Sequence, residues 1–521
     1  MARRRTKFDM PFPMGGLVET FAYENQPRGT TVDCQNMRAY DPSTGRMRGA
    51  QRAGTAKYNS GRTADDQVQE MGHVVARDVP SSQAEVGART VTAYAVTSGT
   101  VVTFTTSGFT TATNGGSALS GTPPVVFSAE LFGVVYFADG TNEKKWTAST
   151  NTVATWSASP GTLPTSGSNK PRLIETWRSR IVASGISADP HNWFMSAVGD
   201  ADDWDYSPST TVATQAVAGN NTDAGKSADV INGMCPYSDD VLIFFGDHSI
   251  HQMTGDPAEG GRIDRISDTI GGAWGRAWTK TPDGAVYFFG SRGGVYRMSP
   301  GNPPQDITQD GLRERFATLN MNTILVRLAY NDREKGIHLF LTPLDGSATI
   351  NYFYDIRGNS WWPDVFTTAG QNPTSIHIYD GDAAADRTVL MGGQDGYIRK
   401  FDYTPSKNDD GVAINSYVWL GPIQLQNRPK VMLTELKPSM ATGTDGVTFN
   451  VYAAETAEAA KAGSSKFTGT WSAGRGKSER RRVTGHDLFI KLSNATVSQD
   501  WAYEFLGVEL DSVTGPRERQ W

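Results

Sequence analysis

Two cysteines in a chain of 521 residues, Cys34 and Cys235, form no spaced pattern, so neither a disulfide framework nor a C-x-x-C motif is available. No stretch approaches the roughly 20 apolar residues that a membrane helix requires. The seven histidines are scattered. Only His248 and His251 stand close, and on a strand a three-residue offset sends them to opposite faces, where they cannot share a metal ion. The densest acidic run, Asp200, Asp202, Asp203 and Asp205, has Trp204 at the fifth position of a calcium loop and lacks that loop's glycine and terminal glutamate. There is no G-x-S-x-G elbow, and the nearest approach to a phosphate loop, Gly225-Lys226-Ser227, has Asn220 where the first glycine belongs. These gaps point away from an enzyme and from any cofactor. A pair of glycosidase carboxylates drawn from distant segments is the one hydrolytic arrangement left open.

Helical signals are few and charge is modest. Lysine and arginine total 49 against 55 acidic residues, a net charge of −6 that discourages tight binding of nucleic acid. The start, Met1 to Lys7, is basic like the front of a signal peptide, but Phe8-Asp9-Met10-Pro11 follows where its apolar core belongs, so secretion by that route is not expected.

What is present is turn-rich β sequence, with 55 glycines, and a repeated phrase. Six times between residues 130 and 400 an apolar, β-branched or aromatic run breaks at a glycine-containing turn and resumes. The turns are read at Asp139-Gly140, Ser184-Gly185, Gly246-Asp247, Gly290-Ser291, Asp345-Gly346 and Gly392-Gly393. The runs before or beside them, such as Val241-Leu242-Ile243-Phe244-Phe245, are too short for buried helices and too apolar for half-exposed strands, as the middle strands of a propeller blade are. Their partners, such as Gly294-Val295-Tyr296-Arg297-Met298, alternate apolar with charged, the pattern of a half-solvated strand. Units of this kind repeating every 40 to 60 residues or so predict an all-β fold, a β-propeller of about six blades, because one blade cannot bury both its faces alone. A large sandwich with hairpins so spaced is the competing architecture.

The chain divides accordingly into an extended N-terminal arm (residues 1–60), a Thr-rich hairpin segment (61–126) that is either an early blade or an inserted tip, the propeller core (127–405), a polar linker, and a C-terminal β-sandwich-like domain (412–521). Short helices are predicted around residues 308–316 and 453–462, the second ended by Gly463. Two basic clusters are candidate assembly contacts: Arg3, Arg4 and Arg5 at the head of the arm, and Arg475, Lys477, Arg480, Arg481 and Arg482, read as an exposed loop before a strand.

Three passages carry a family resemblance. Val32-Asp33-Cys34-Gln35-Asn36-Met37-Arg38-Ala39-Tyr40-Asp41-Pro42, with Gly45-Arg46-Met47-Arg48-Gly49-Ala50-Gln51-Arg52 after it, is one. Asp189-Pro190-His191-Asn192-Trp193-Phe194-Met195-Ser196 through Asp203-Trp204-Asp205-Tyr206 is the second, and Tyr354-Asp355-Ile356-Arg357-Gly358-Asn359-Ser360-Trp361-Trp362-Pro363-Asp364 the third. In this order they resemble the tail nozzle (tail hub or tubular) proteins of short-tailed bacteriophages, the podoviruses, over about residues 15–405. The resemblance implies a non-enzymatic virion protein of the tail, assembled in the host cytoplasm. It would form a homohexamer that docks to a tail adaptor protein, carries tail fibre or spike proteins, and lets double-stranded DNA pass during ejection. From the residues themselves, 13 tryptophans and the Asp-rich loops keep a glycan-binding or glycan-cleaving propeller as the alternative.

Overall fold

The structure, a computed structural model, describes residues 5–59, 67–77, 88–308, 311–381, 383, 386–403 and 407–513. The protein is all-β: among the described residues six four-stranded antiparallel sheets and one six-stranded sheet are the seven blades of a β-propeller, two five-stranded sheets form a sandwich, and Met37–Tyr40 pairs with Met47–Gln51 in a separate hairpin. The first strands of the blades are Val68–Arg77, Phe127–Leu131, Leu173–Trp177, Ile231–Ser238, Trp278–Lys280, Ile324–Asn331 and Pro373–Asp380. Neighbouring first strands pack on one another around the ring and so line its axis, blade 7 back on blade 1, except at blades 4 and 5, which meet just ahead of the first strand of blade 5. Between blades 4 and 5 the Gly275 N–H donates to the Asn232 carbonyl at 2.7 Å.

The count exceeds the six units legible in the turns because residues Val68–Arg77, Arg89–Thr97, Thr100–Thr105 and Gly108–Thr111 make a blade of their own. The Thr-rich segment is thus an early blade and not an inserted tip. The apolar runs fall where expected, on second strands: Val134–Ala138, Val241–Gly246, Val286–Phe289, Gly336–Pro343 and Arg387–Gly393. Blade 3 departs from the reading. Ser184 and Gly185 lie inside the strand Arg180–Ile186 as a bulge, Gly185 at φ 76°, and the chain reverses only after Ile186.

The N-terminal arm is woven into everything else. Arg5–Met10 pairs with Tyr503–Ser512 at the edge of one sandwich sheet, and Cys34–Gln35 pairs with Ser416–Ile423 at the edge of the other. Gly54–Lys57 then becomes the fourth strand of blade 7, with Thr55 opposite Phe401. The first and last parts of the propeller chain therefore close one blade together, which removes an open edge. The polar linker is not a free spacer either: Asn408–Asp409 lies parallel to the same arm strand and extends blade 7.

The sandwich faces bury the apolar side of each strand, as the strict alternation in Val447–Ala454 shows. Its core is continuous with blades 5 and 6, since Phe449 and Ile490 join the same cluster as Tyr287, Phe353 and Trp362. Phe12 of the arm stacks on Trp362 at 5.7 Å. Gly49 makes room for that ring: a Cβ there would stand 2.2 Å from Phe12, and its φ of +76° already favours glycine. Two short α-helices decorate the sheets, α1 (Arg313–Ala317) and α2 (Ala457–Ala462), the latter capped by the Thr456 hydroxyl accepting from the Ala459 N–H. Both are shorter than the segments that predicted them.

Candidate functional site at the arm junction and the propeller axis

Two constellations stand out, and both are held by arginines that sequence spacing could not connect. The first is the junction of arm, propeller and sandwich. Arg38 donates Nη1 and Nη2 to the two oxygens of Asp364, each at 2.7 Å, and Nε to Glu334 at 2.8 Å. Arg52 donates Nη1 to Asp409 at 2.8 Å and Nε to the Asn36 amide oxygen at 2.9 Å. All of these groups are buried. Burial alone would pull the Arg38 guanidinium down, but Asp364 and Glu334 push it above its ordinary value. His338 lies against the same network, stacked on Phe401 at 4.4 Å; burial first and the Arg38 charge second hold its imidazole down to about 3.

The second constellation plugs the propeller axis. Arg276, just ahead of the first strand of blade 5, reaches across the centre: Nη1 donates to Glu70 of blade 1 at 2.6 Å, Nε to Glu175 of blade 3 at 2.5 Å, and Nη2 to the Ser128 carbonyl of blade 2. Ser128 Oγ in turn donates to Glu70 at 2.7 Å. Four blades are thereby tied at one guanidinium. On one side of this knot opens a funnel of about 870 Å3, lined by Trp274, Arg172, Asp247, Asn322 and Leu344 among others, with Trp274 41% exposed. On the other side lies a cavity of about 330 Å3 lined by Glu70, Arg276, Lys280, Arg327, Ser375 and His377.

The predicted contact residues fall as follows. Arg3 and Arg4 lie outside the described residues, and Arg5 begins the strand that pairs with the sandwich, opposite Asp511. The basic strip is a sheet edge at Arg475 and at Arg480, Arg481 and Arg482, because Gly474–Arg475 and Glu479–Gly485 both pair with Val431–Met440, while Lys477 lies in the exposed connection between those two strands. Arg475, Lys477, Arg480, Arg481 and Arg482 are all exposed. Arg480 reaches Glu435 at 3.3 Å, and Arg481 lies over the Phe467 ring at 4.2 Å. The strip borders a cross-strand charge ladder in which Lys437 bridges Glu435 at 3.3 Å and Glu509 at 2.8 Å, and Lys7 meets Glu509 at 2.9 Å.

The acidic run at 200–205 folds into a turn. Asp200 and Asp203 carboxylates accept the N–H groups of Asp202 and Asp205, and Trp204 is buried. His248 pairs with Asp247 and His251 with Ser249, so these two histidines face different partners. The histidines that do meet are His73 and His377, at 2.6 Å, brought together by the closure of blade 7 on blade 1. Among the described residues no three His, Cys, Asp or Glu side chains converge as a metal site would require, and no helix is long and apolar enough to cross a membrane. Both cysteines are buried and unpaired, and burial raises both thiols well above their ordinary range.

No protein-family model and no curated protein matches the sequence. Solved structures with a similar course include the extracellular domains of two hybrid two-component systems of B. thetaiotaomicron. For BT3049 the identity is 9%, with 81% of this chain and 48% of that one covered and a TM-score of 0.44. For BT4673 the identity is 11%, with 84% and 59% covered and a TM-score of 0.43. The N-terminal domain of Nup159 is similar at 8% identity over 66% of this chain and 99% of that one, with a TM-score of 0.36. The chain spans about half the length of the first of these proteins.

Proposed function

We propose that the chain is a structural subunit of a short bacteriophage tail: a nozzle protein, six copies of which close into a ring in the virion. That ring docks to the adaptor protein, carries fibres or spikes at its side and prolongs the path of the ejected DNA. The observation that supports this reading is where the residues of the resemblance lie. The first passage supplies Asn36, Arg38 and Arg52 and the third supplies Trp362 and Asp364, and these meet in one buried junction through the Arg38–Asp364 pair. A shared pattern of that kind belongs to the architecture of the protein, not to a variable loop. The Arg276 knot fits the same reading, since it leaves the propeller axis to the protein's own side chains and DNA would run between subunits. A net charge of −6 per copy would let the duplex slide.

Electron microscopy of the purified chain mixed with its adaptor ring is expected to show closed sixfold rings with a duplex-wide channel. A chain that stays monomeric on the adaptor overturns the reading. The glycan-binding alternative rests on the half-exposed Trp274 in the axial funnel, since an aromatic face beside Asp247 and Arg172 suits a sugar ring. Binding of host surface polysaccharide that is lost in Trp274→Ala would favour it.

A further inference from the structure

We propose that the axial cavity beyond the Arg276 knot binds a small carboxylate, seated on the Nε–Nη2 edge of Arg327. This inference does not depend on the nozzle reading. Arg327 lies on the first strand of blade 6 and is only 5% exposed. Its Nη1 donates to the carbonyl of its own neighbour Val326 at 3.1 Å, and no carboxylate among the described residues lies within ion-pair distance. The contrast with Arg276 is direct. That guanidinium uses every edge, on Glu175, Glu70 and Ser128, while Arg327 leaves its two-donor edge without an acceptor among the described residues and lines a cavity of about 330 Å3. Glu70 is the nearest counter-charge, but it accepts from Arg276 and Ser128 and gives Arg327 no hydrogen bond, and buried N–H donors left without an acceptor are costly, so this edge calls for an acceptor. The burial also draws the Arg327 guanidinium down to about 10, the direction that a bound anion would reverse.

The geometry selects the class of ligand. Parallel donors on one edge of a guanidinium match two oxygens of a single carboxylate or phosphate. The surroundings favour the lower charge. Arg276 and Arg327 are balanced by Glu70 and Glu175, and Glu70 itself faces the cavity, so a second negative charge on the ligand would be repelled. The remaining lining offers Ser375, Thr279 and the aliphatic Leu328 and Ile376, with the His377 Nε2 already held by His73, and leaves room for a carbon skeleton beyond the carboxylate.

The test uses the full chain at neutral pH, with sodium acetate and inorganic phosphate as probes and sodium chloride at matched ionic strength as the blank. Thermal unfolding and calorimetry are expected to show saturable binding of acetate. Loss of a charge-assisted pair should weaken it about tenfold or more in Arg327→Met. Arg327→Lys, which keeps the charge and a similar bulk but not the two-donor edge, should also bind more weakly, and serves if the methionine variant does not fold. Lys466→Met, exposed on the sandwich and not part of the cavity lining, should bind as the parent does. No saturable response to acetate, equal affinity in the Arg327 variants, or phosphate binding as tight as acetate would each overturn the assignment.

Discussion

Arg38 shows how much a single side chain can hold in this protein. Its guanidinium joins the arm to Asp364 on the last strand of blade 6 and to Glu334 in the turn between that blade's first two strands, with all three groups withdrawn from water. Removal of one member of a buried pair leaves the other charge stranded, so Arg38→Ala should cost about 3 to 5 kcal/mol, measured by urea unfolding. A loss within the range of ordinary surface substitutions would show that the junction is not a keystone of the fold. His338 beside it makes a second case. Its folded-state value lies near 3 against an ordinary 6.5, so folding prefers the neutral ring. Its contribution is therefore complete above about pH 6.5 and is lost as the pH falls toward 3. At pH 5 that amounts to about 2 kcal/mol for this group. His73 and His377 are displaced in the same direction, chiefly by burial, and add to the acid sensitivity. His338→Phe keeps an aromatic ring between Phe340 and Phe401 and should shrink the stability difference between pH 7 and pH 5 by that amount. An unchanged difference would assign the acid loss elsewhere.

At the scale of elements, the arm supplies two edge strands of the sandwich and the fourth strand of blade 7. Residues Arg5–Met10 cover Tyr503–Ser512, a ten-residue strand whose outer hydrogen-bonding groups would otherwise be unpaired. Deletion of residues 1–10 should thus lower the melting temperature and promote self-association through the bared edge, detectable by light scattering. A truncated protein that stays monodisperse and melts with the parent would mean that the edge is protected in some other way. The clasp at Gly54–Lys57 works differently, because it binds the start of the propeller to its last blade and makes ring closure a contact between residues more than 300 positions apart.

For the whole molecule, the exposed basic edge is the feature to test. Arg480, Arg481 and Arg482 stand on a sheet edge, with Arg480 already shared with Glu435. Arg480→Glu, Arg481→Glu and Arg482→Glu together should leave the monomer folded, since all three are exposed, and on the proposed nozzle reading should weaken its docking to a neighbouring copy or to the adaptor. Mass photometry of the mixture reads this directly. Ring formation at parental concentrations would retire the edge as a contact.

The blade pattern was legible because it is local. A buried run such as Val241–Gly246 is apolar along its whole length whatever it packs against, and turns such as Gly246-Asp247 mark its end. Blade 1 was harder to read because its threonines blur that contrast, and the bulge at Gly185 looked like a turn because both require a positive φ. The sites were not legible at all. Glu70, Glu175 and Arg276 are spread over three blades, Arg38 and Asp364 are more than 300 residues apart, and His73 meets His377 only when the ring closes. The amino-acid order alone determined that hairpins would form and stack. Only the closed ring decided which charges would share a low-dielectric interior, because electrostatic partnership depends on distance in space and leaves no trace in spacing along the chain.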